Sequence, residues 1–208
     1  MTAIRGAPQG RAGRAWLEHR LGLARHAAVR LDQKLRVLRT EQAHAALLVE
    51  RTGSEWETAV REAETWLLRA VLLGGQTAVQ AGSGVPDAEV TVAWATSLGT
   101  TFPADASCTC PDGDRRVGPL SSSATVESRA AYRRALQAGV RHAAATAAAR
   151  ALDEEAARTR LRLRGVQDRW IPRLEAAAHE LRLSLEEAEQ AEGVRLRWAA
   201  QLAGRELP

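Results

Sequence analysis

Residues 161–202 read LRLRGVQDRWIPRLEAAAHELRLSLEEAEQAEGVRLRWAAQL, and this stretch decides the fold. Its leucines recur at a spacing of eleven, at Leu163, Leu174, Leu185 and Leu196. This spacing corresponds to about 3.67 residues per turn, close to that of an α-helix, and predicts one nearly straight helix with a single apolar stripe. Trp170 and Leu181 fill the same stripe. Because such a helix is not stable alone in water, we expect a partner helix elsewhere in the chain.

The N-terminal part of the chain supplies that partner. Apolar side chains follow alternating steps of four and three residues over residues 14–73, which is the pattern of a coiled coil. The predicted helix has about 60 residues and a length of roughly 90 Å. Its seam includes Leu17, Leu21, Leu31, Leu35, Leu38, Trp56 and Trp66, with Gln42 and Thr52 as the polar exceptions. We interpret the tryptophans on the two predicted seams as core-packing residues.

Residues 74–123 interrupt the helical pattern. Gly74 and Gly75 are expected to end the first helix. The alternation of Val90, Val92 and Trp94 with smaller residues then predicts a strand. A second short strand around residues 99–102 would complete a hairpin. The prolines and glycines from Pro103 onward predict turns.

The second long helix is predicted over residues 124–203, with a kink at Pro172, because proline removes a backbone hydrogen bond. The two helices bury their seams only if the chain folds back on itself. The predicted fold is therefore mainly α: a long antiparallel two-helix coiled coil, with a small β-hairpin module between the helices at the end opposite the termini. Residues 1–13 are expected to be a disordered basic terminus, and residues 204–208 a tail.

Positive charge is concentrated near the N-terminus. The chain has a formal net charge of +4, while residues 1–40 hold nine Arg or Lys side chains against two acidic ones. A basic end of this kind meets nucleic acid, lipid headgroups or an acidic protein surface. One functional hypothesis is therefore a basic helical hairpin that binds nucleic acid or an anionic membrane surface, with steep salt dependence. Against it, Arg and Glu alternate over most of the predicted surface, and no aromatic stacking platform accompanies the basic end.

The sequence predicts no catalytic, cofactor or metal site. The glycine-rich run at residues 74–84 lacks the Lys-Ser/Thr of a phosphate-binding loop and precedes a strand. The five histidines contain no i, i+4 pair and are interpreted as solvated. Cys108 and Cys110 would need two further ligands to hold a metal, so they are interpreted as an inert loop pair. No apolar run of about 18 residues and no apolar signal core are found, which favours a cytoplasmic chain without membrane insertion.

Residues 169–175 (RWIPRLE) resemble the IPRLE signature of the D subunit of the V-type and A-type rotary ATPases. The basic, leucine-rich helix of residues 17–38 and the strand and turn of residues 90–103 are similar to the opening helix and central hairpin of that family. Residues 185–189 fit the same pattern. The similarity covers essentially the whole chain in the same order. The loop predicted at residues 104–119 looks longer than usual for the family, and arginine and alanine replace its lysines.

The resemblance implies the central rotor shaft of a V/A-type ATPase or ATP synthase, a non-catalytic subunit without a cofactor. Such a subunit transmits torque between the membrane ring and the catalytic hexamer, coupling ATP synthesis or hydrolysis to proton or sodium transport. The implied partners are the catalytic A and B subunits, the rotor F subunit and the C subunit, with no nucleic acid. The implied location is cytoplasmic, peripheral to the plasma membrane.

The resemblance also implies where these partners bind. Contacts with the catalytic head are expected at the basic tip, from Arg11, Arg14, Arg20, Arg195, Arg197, Trp198 and Arg205. Contacts with the F subunit and the lower stalk are expected at the hairpin, from Val90, Val92, Trp94, Leu98 and Phe102.

Overall fold

A computed structural model describes residue 8 and residues 10–81, 87–110 and 122–203. Its elements follow in this order: α1 (Gly10–Ala81), β1 (Glu89–Ser97), β2 (Thr100–Thr109), α2 (Ser123–Arg164), a π-helical turn (Gly165–Trp170) and α3 (Ile171–Ala203). The two strands form one antiparallel sheet. The predicted fold class, mainly α with a small β-hairpin between long helices, is therefore confirmed.

The chain divides into two compact units. The terminal unit combines the chain up to Leu35 with the chain from Arg158 onward, and the central unit holds Arg36–Ala157. Each unit contains a segment of α1 and the helical segment that packs against it.

In the terminal unit, α1 and α3 run antiparallel. The Arg11 guanidinium donates to Glu189 at 3.0 Å, and the Arg25 guanidinium donates to Glu175 at 2.8 Å. The buried apolar side chains of this unit are Leu17, Ala28, Leu35, Leu163 and Leu174. The stripe then becomes more exposed along α3: Leu181 and Leu185 are half-buried, and Leu196 is exposed.

A π-helical turn lies just before Pro172, the position at which the sequence predicts a kink. At its end, the backbone N–H of Ile171 donates to the carbonyl of Val166, five residues earlier. Pro172 follows in the first turn of α3. A π-helical turn is wider than an α-helical turn, and we attribute its position to the proline, whose ring crowds the preceding turn and which has no N–H to donate.

In the central unit, α1 and α2 run antiparallel and approach closely through alanines. Ala63, Ala131 and Ala135 form a buried cluster, against which Val60 and Trp66 pack. At the side of this cluster the Arg134 guanidinium donates to Glu62 at 2.7 Å. Because only small side chains lie between the two helices, the contact has little free volume. A larger side chain at this contact should therefore be destabilising.

The ends of α1 differ from the predicted bounds. Residues 10–13, for which the sequence predicts disorder, are helical, and Gly13 packs closely on α3: a Cβ there would lie 3.2 Å from the Leu181 side chain. At the other end, Gly75 adopts φ +72° and interrupts the helix, as the sequence predicts. The helix then resumes and continues to Ala81.

The hairpin turns through Leu98 and Gly99, which both have positive φ, of 51° and 81°. A two-residue turn of this kind matches the twist of antiparallel strands. β2 is longer than predicted and contains Pro103, which the sequence pattern assigns to a turn. The strand register shifts between Ala93 and Trp94, next to Pro103. This register shift is a β-bulge, which allows Pro103 to lie inside a strand although it has no backbone N–H to pair.

Replacing Gly22 by alanine is expected to raise the free energy of unfolding by roughly 1 kcal/mol, because alanine is the better helix former. A Cβ at Gly22 would meet no atom within 4 Å. The matched control is Gly139→Ala, where the added Cβ would lie 3.0 Å from Trp56 Nε1. This crowding should cancel the stability gained from the better helix former. Urea unfolding followed by circular dichroism measures both, and an equal gain at both positions would contradict the packing described.

Candidate partner-contact surfaces

One face of the hairpin is an apolar ridge. Alternate residues of a strand lie on the same face, and residues in register across the hairpin share that face. The ridge consists of Val90, Val92 and Trp94, in register with Cys108, Ala106 and Pro103. The side chains on β1 are 49%, 36% and 66% exposed, whereas their three smaller partners are buried. The large side chains of the ridge are therefore available to another protein.

The opposite face of the hairpin is largely polar and exposed. Glu89, Thr91 and Asp105 lie on it. Phe102 is in register with Ala95, so it lies on this face and not on the ridge with Trp94. The predicted contacts with the lower stalk include both Phe102 and the three ridge residues. In the structure Phe102 lies on the opposite face of the hairpin from the ridge, and Leu98 is exposed in the turn.

The last part of α3 carries a second exposed apolar surface. Val194, Trp198 and Leu202 are all exposed and follow one another at intervals of four residues, so they lie on one side of the helix. Arg195 and Arg197 are exposed among them. Trp198 is 67% exposed, an unusual state for so large an apolar side chain unless it meets a partner.

The other predicted head-contact arginines already make contacts within this chain. Besides the pair between Arg11 and Glu189, Arg14 donates to Glu18 at 2.9 Å, and this hydrogen bond raises the pKa of Arg14. The Arg20 guanidinium lies over the Trp16 ring, 4.8 Å from its centre. All three arginines are exposed, and exposed ion pairs contribute little stability, so these charges can be shared with a partner. Arg205 lies outside the described residues.

A cleft of about 340 Å³ lies between α1 and the π-helical turn. Its apolar walls include Trp16, Leu23, Val166 and Trp170. The sequence predicts that Trp170 packs in the seam, yet it is 48% exposed, because the π-helical turn places it on the wall of this cleft. Of the other two seam tryptophans, Trp66 is half-buried beside the alanine cluster and Trp56 is 40% exposed.

A polar and aromatic contact joins α1 to α2 in the central unit. The His142 ring stacks on Trp56, with 5.5 Å between ring centres, and His142 Nδ1 lies 3.2 Å from the Thr52 hydroxyl. That hydroxyl donates to the carbonyl of Leu48 at 2.7 Å. The interpretation of the histidines as solvated is therefore wrong for His142. A single histidine in a helical sequence carries no signal for a partner on another helix.

The interpretation of the two cysteines as a loop pair is also wrong for one of them. Cys108 is buried in β2, and Cys110 follows the end of the strand, half-buried. Burial raises the pKa of the Cys108 thiol, and the nearby Cys110 side chain raises it further. Within the described ranges, no group of three or more His, Cys, Asp or Glu side chains is arranged to hold a metal ion.

In a Cys110→Ser chain, iodoacetamide should modify Cys108 at least tenfold more slowly at pH 7.5 than it modifies glutathione. The reactive species is the thiolate, and a raised pKa keeps the thiol protonated at that pH. The rate should still be rising above pH of about 8.5, the ordinary pKa of cysteine, because the Cys108 pKa is raised. Mass spectrometry of the quenched protein measures the rate of modification. A rate equal to that of glutathione would contradict the burial of Cys108.

The described chain thus belongs to a class of helical proteins built from long antiparallel helices with an inserted β-hairpin, and it exposes apolar surfaces suited to protein partners. No helix among the described residues has the length and apolar character needed to cross a membrane. The family model for the D subunit of ATP synthase matches residues 15–201, so the chain belongs to the ATP synthase D-subunit family. A search of curated proteins finds no match. Family membership makes the chain a stalk subunit of a rotary ATPase, within a membrane-associated complex.

Proposed function

We propose that this protein is the central rotor shaft of a V/A-type ATPase or ATP synthase. It transmits torque between a membrane ring that moves protons or sodium ions and a hexamer of catalytic A and B subunits. The observation that carries this proposal is the family match over residues 15–201, which spans both long helical segments and the hairpin. The shaft itself is non-catalytic, since ATP is made or hydrolysed in the hexamer.

The packing of the helices supports this role. A shaft must resist sliding of one helix along the other, and directional contacts resist it better than apolar packing alone. In the central unit these contacts are the stack of Trp56 on His142 and the ion pair of Glu62 with Arg134. In the terminal unit the exposed ion pairs from Arg11 and Arg25 to α3 favour one register of the two helices, although each contributes little stability. An asymmetric shaft contacts each of three catalytic sites differently, so its angle sets which site is open, loose or tight.

We assign one exposed surface to the catalytic head and the other to the lower stalk. Trp198 and the arginines at positions 195 and 197 make bearing contacts with acidic loops of the A and B subunits. The ridge of Val90, Val92 and Trp94 binds the lower stalk, formed by the rotor F subunit and the C subunit. The support for this assignment is the charge of the first surface and the exposed apolar character of the second.

The direct test is mild affinity purification of the tagged chain from its native cells, with the co-purifying proteins identified by mass spectrometry. We expect an ATPase head, a small F-like subunit and ring components in fixed ratio. Recovery of nucleic acid or lipid alone, without ATPase subunits even after crosslinking, would refute the rotor assignment and support the basic-hairpin hypothesis.

Charge reversal of the tip should uncouple ATP turnover from ion transport. In the reconstituted complex, Arg195→Glu combined with Arg197→Glu should lower the number of ions moved per ATP several-fold, because the bearing contacts would become repulsive. The control variant, Arg150→Glu combined with Arg160→Glu, changes the same charge at exposed positions of α2. Unchanged coupling in the tip variant, or an equal loss in the control, would remove the basis for the tip assignment.

A further inference from the structure

The two cysteines, at the end of β2, differ in exposure and lie two positions apart in the sequence. The Cys108 side chain is 7% exposed, whereas Cys110 is half-buried just beyond the strand, and both thiols are free. Two positions is the spacing at which side chains of a strand share a face. One thiol is thus accessible to a small reagent while its neighbour is shielded but within reach of the first sulfur.

The backbone permits a bond between the two sulfurs. Alternate residues of a strand lie on one face with Cα atoms about 6.6 Å apart, near the upper limit of about 6.8 Å for a disulfide. Because β2 ends at Thr109, Cys110 is not held by the ladder and can move closer to Cys108. The ring closed by two cysteines separated by one residue is small and strained, so such a disulfide is easily reduced again.

We propose that Cys108 and Cys110 form a redox-active dithiol pair, in which Cys110 reacts first with a low-molecular-weight disulfide and Cys108 resolves the adduct. The Cys110 thiolate attacks one sulfur of the small disulfide and forms a mixed disulfide, and the first small thiol leaves with the proton that Cys110 lost. Cys108 then gives up its proton, and its sulfur attacks the Cys110 sulfur. The bond between Cys108 and Cys110 forms, and the second small thiol leaves with that proton. The protein loses two protons and two electrons in total, and one small disulfide is reduced to two thiols.

The order of attack follows from the environment of each sulfur. Burial and a raised pKa keep Cys108 protonated and shielded, so it is a poor first nucleophile. Once Cys110 carries the adduct, its sulfur is the electrophile and lies only two residues from Cys108, so the second step is intramolecular. The pair also lies beside the ridge, since Cys108 is in register with Val90. The proposal does not depend on the function assigned to the ridge.

The test uses the purified full-length chain and oxidised glutathione as the probe. After acid quenching and alkylation with iodoacetamide, intact mass and peptide mapping should show a monomer that has lost two hydrogens, carries no alkyl group and contains a Cys108–Cys110 disulfide. Phenylarsine oxide, which bridges neighbouring thiols, should protect the reduced chain from alkylation. A wild-type chain that keeps a stable glutathione adduct, or that forms disulfides between chains, would overturn the proposal.

Two single variants separate the roles of the thiols. The Cys108→Ser chain should stop at a stable adduct on Cys110, and phenylarsine oxide should not protect it. The Cys110→Ser chain should form the adduct at least tenfold more slowly than Cys108→Ser. Equal rates in the two variants would refute the assigned order. Circular dichroism checks that both variants fold, and peptide mapping of the wild-type chain tests the internal disulfide without either variant.

Discussion

Replacing Trp94 by aspartate should weaken binding of the protein to the partners proposed for the lower stalk about a hundredfold, without unfolding the helices. Trp94 is the most exposed side chain of the ridge, at 66%, and a tryptophan at the centre of an interface commonly contributes about 2–4 kcal/mol, with about 1.4 kcal/mol for each factor of ten. A buried aspartate would add a desolvation cost. Titration of the tagged protein against a purified complex that lacks it measures the affinity, and circular dichroism checks the fold.

The matched control is Thr91→Asp. Thr91 is exposed on the polar face of the same strand, so this change adds the same charge without touching the ridge. We expect its affinity to stay within about threefold of the wild type, as for a residue outside the binding surface. If both variants bind as the wild type does, the ridge is not the binding surface. If both lose binding equally, the loss reflects charge rather than the ridge.

Replacing Ala63 by leucine should lower the free energy of unfolding by about 2–3 kcal/mol, because the added atoms overfill a close-packed contact. Ala63 and Ala131 are both fully buried, and Ala135 and Trp66 complete their surroundings. The added side chain has room only if the helices move apart. Urea denaturation followed by circular dichroism measures the change.

The control for this substitution is Ala147→Leu, at an exposed position of α2. Alanine and leucine are both good helix formers, so its effect should stay within about 0.5 kcal/mol. A loss at Ala147 as large as at Ala63 would mean that leucine itself, rather than crowding, is responsible. No loss at either position would contradict the close approach of α1 and α2.

The helices could be predicted because periodicity encodes which face is buried. Leu17, Leu35 and Leu38 lie on the heptad pattern, and the structure buries all three. The π-helical turn before Pro172 could not be predicted, since a proline in a helical pattern is compatible with a kink, a break or a widened turn. The length of β2 was missed because Pro103 normally ends a strand, and a bulge is set by the pairing of two strands rather than by either one.

The candidate surfaces were predictable to different degrees. The ridge follows from alternation along β1, which is local. The separation of Phe102 from Trp94 depends on the register between strands, which the sequence does not contain. The stack of His142 on Trp56 joins two helices that are distant in the sequence, so no local pattern predicts it. Likewise, burial of Cys108 could not be predicted while its strand was interpreted as a loop.

The exposed apolar side chains of α3 have a consequence for the life of the protein in the cell. If this surface binds the catalytic head as proposed, a newly made copy displays Val194, Trp198 and Leu202 to water until it is assembled. Surfaces of this kind promote aggregation and attract chaperones and proteases. Synthesis of this protein must therefore be matched in amount and time to that of its neighbours, and surplus copies should be short-lived.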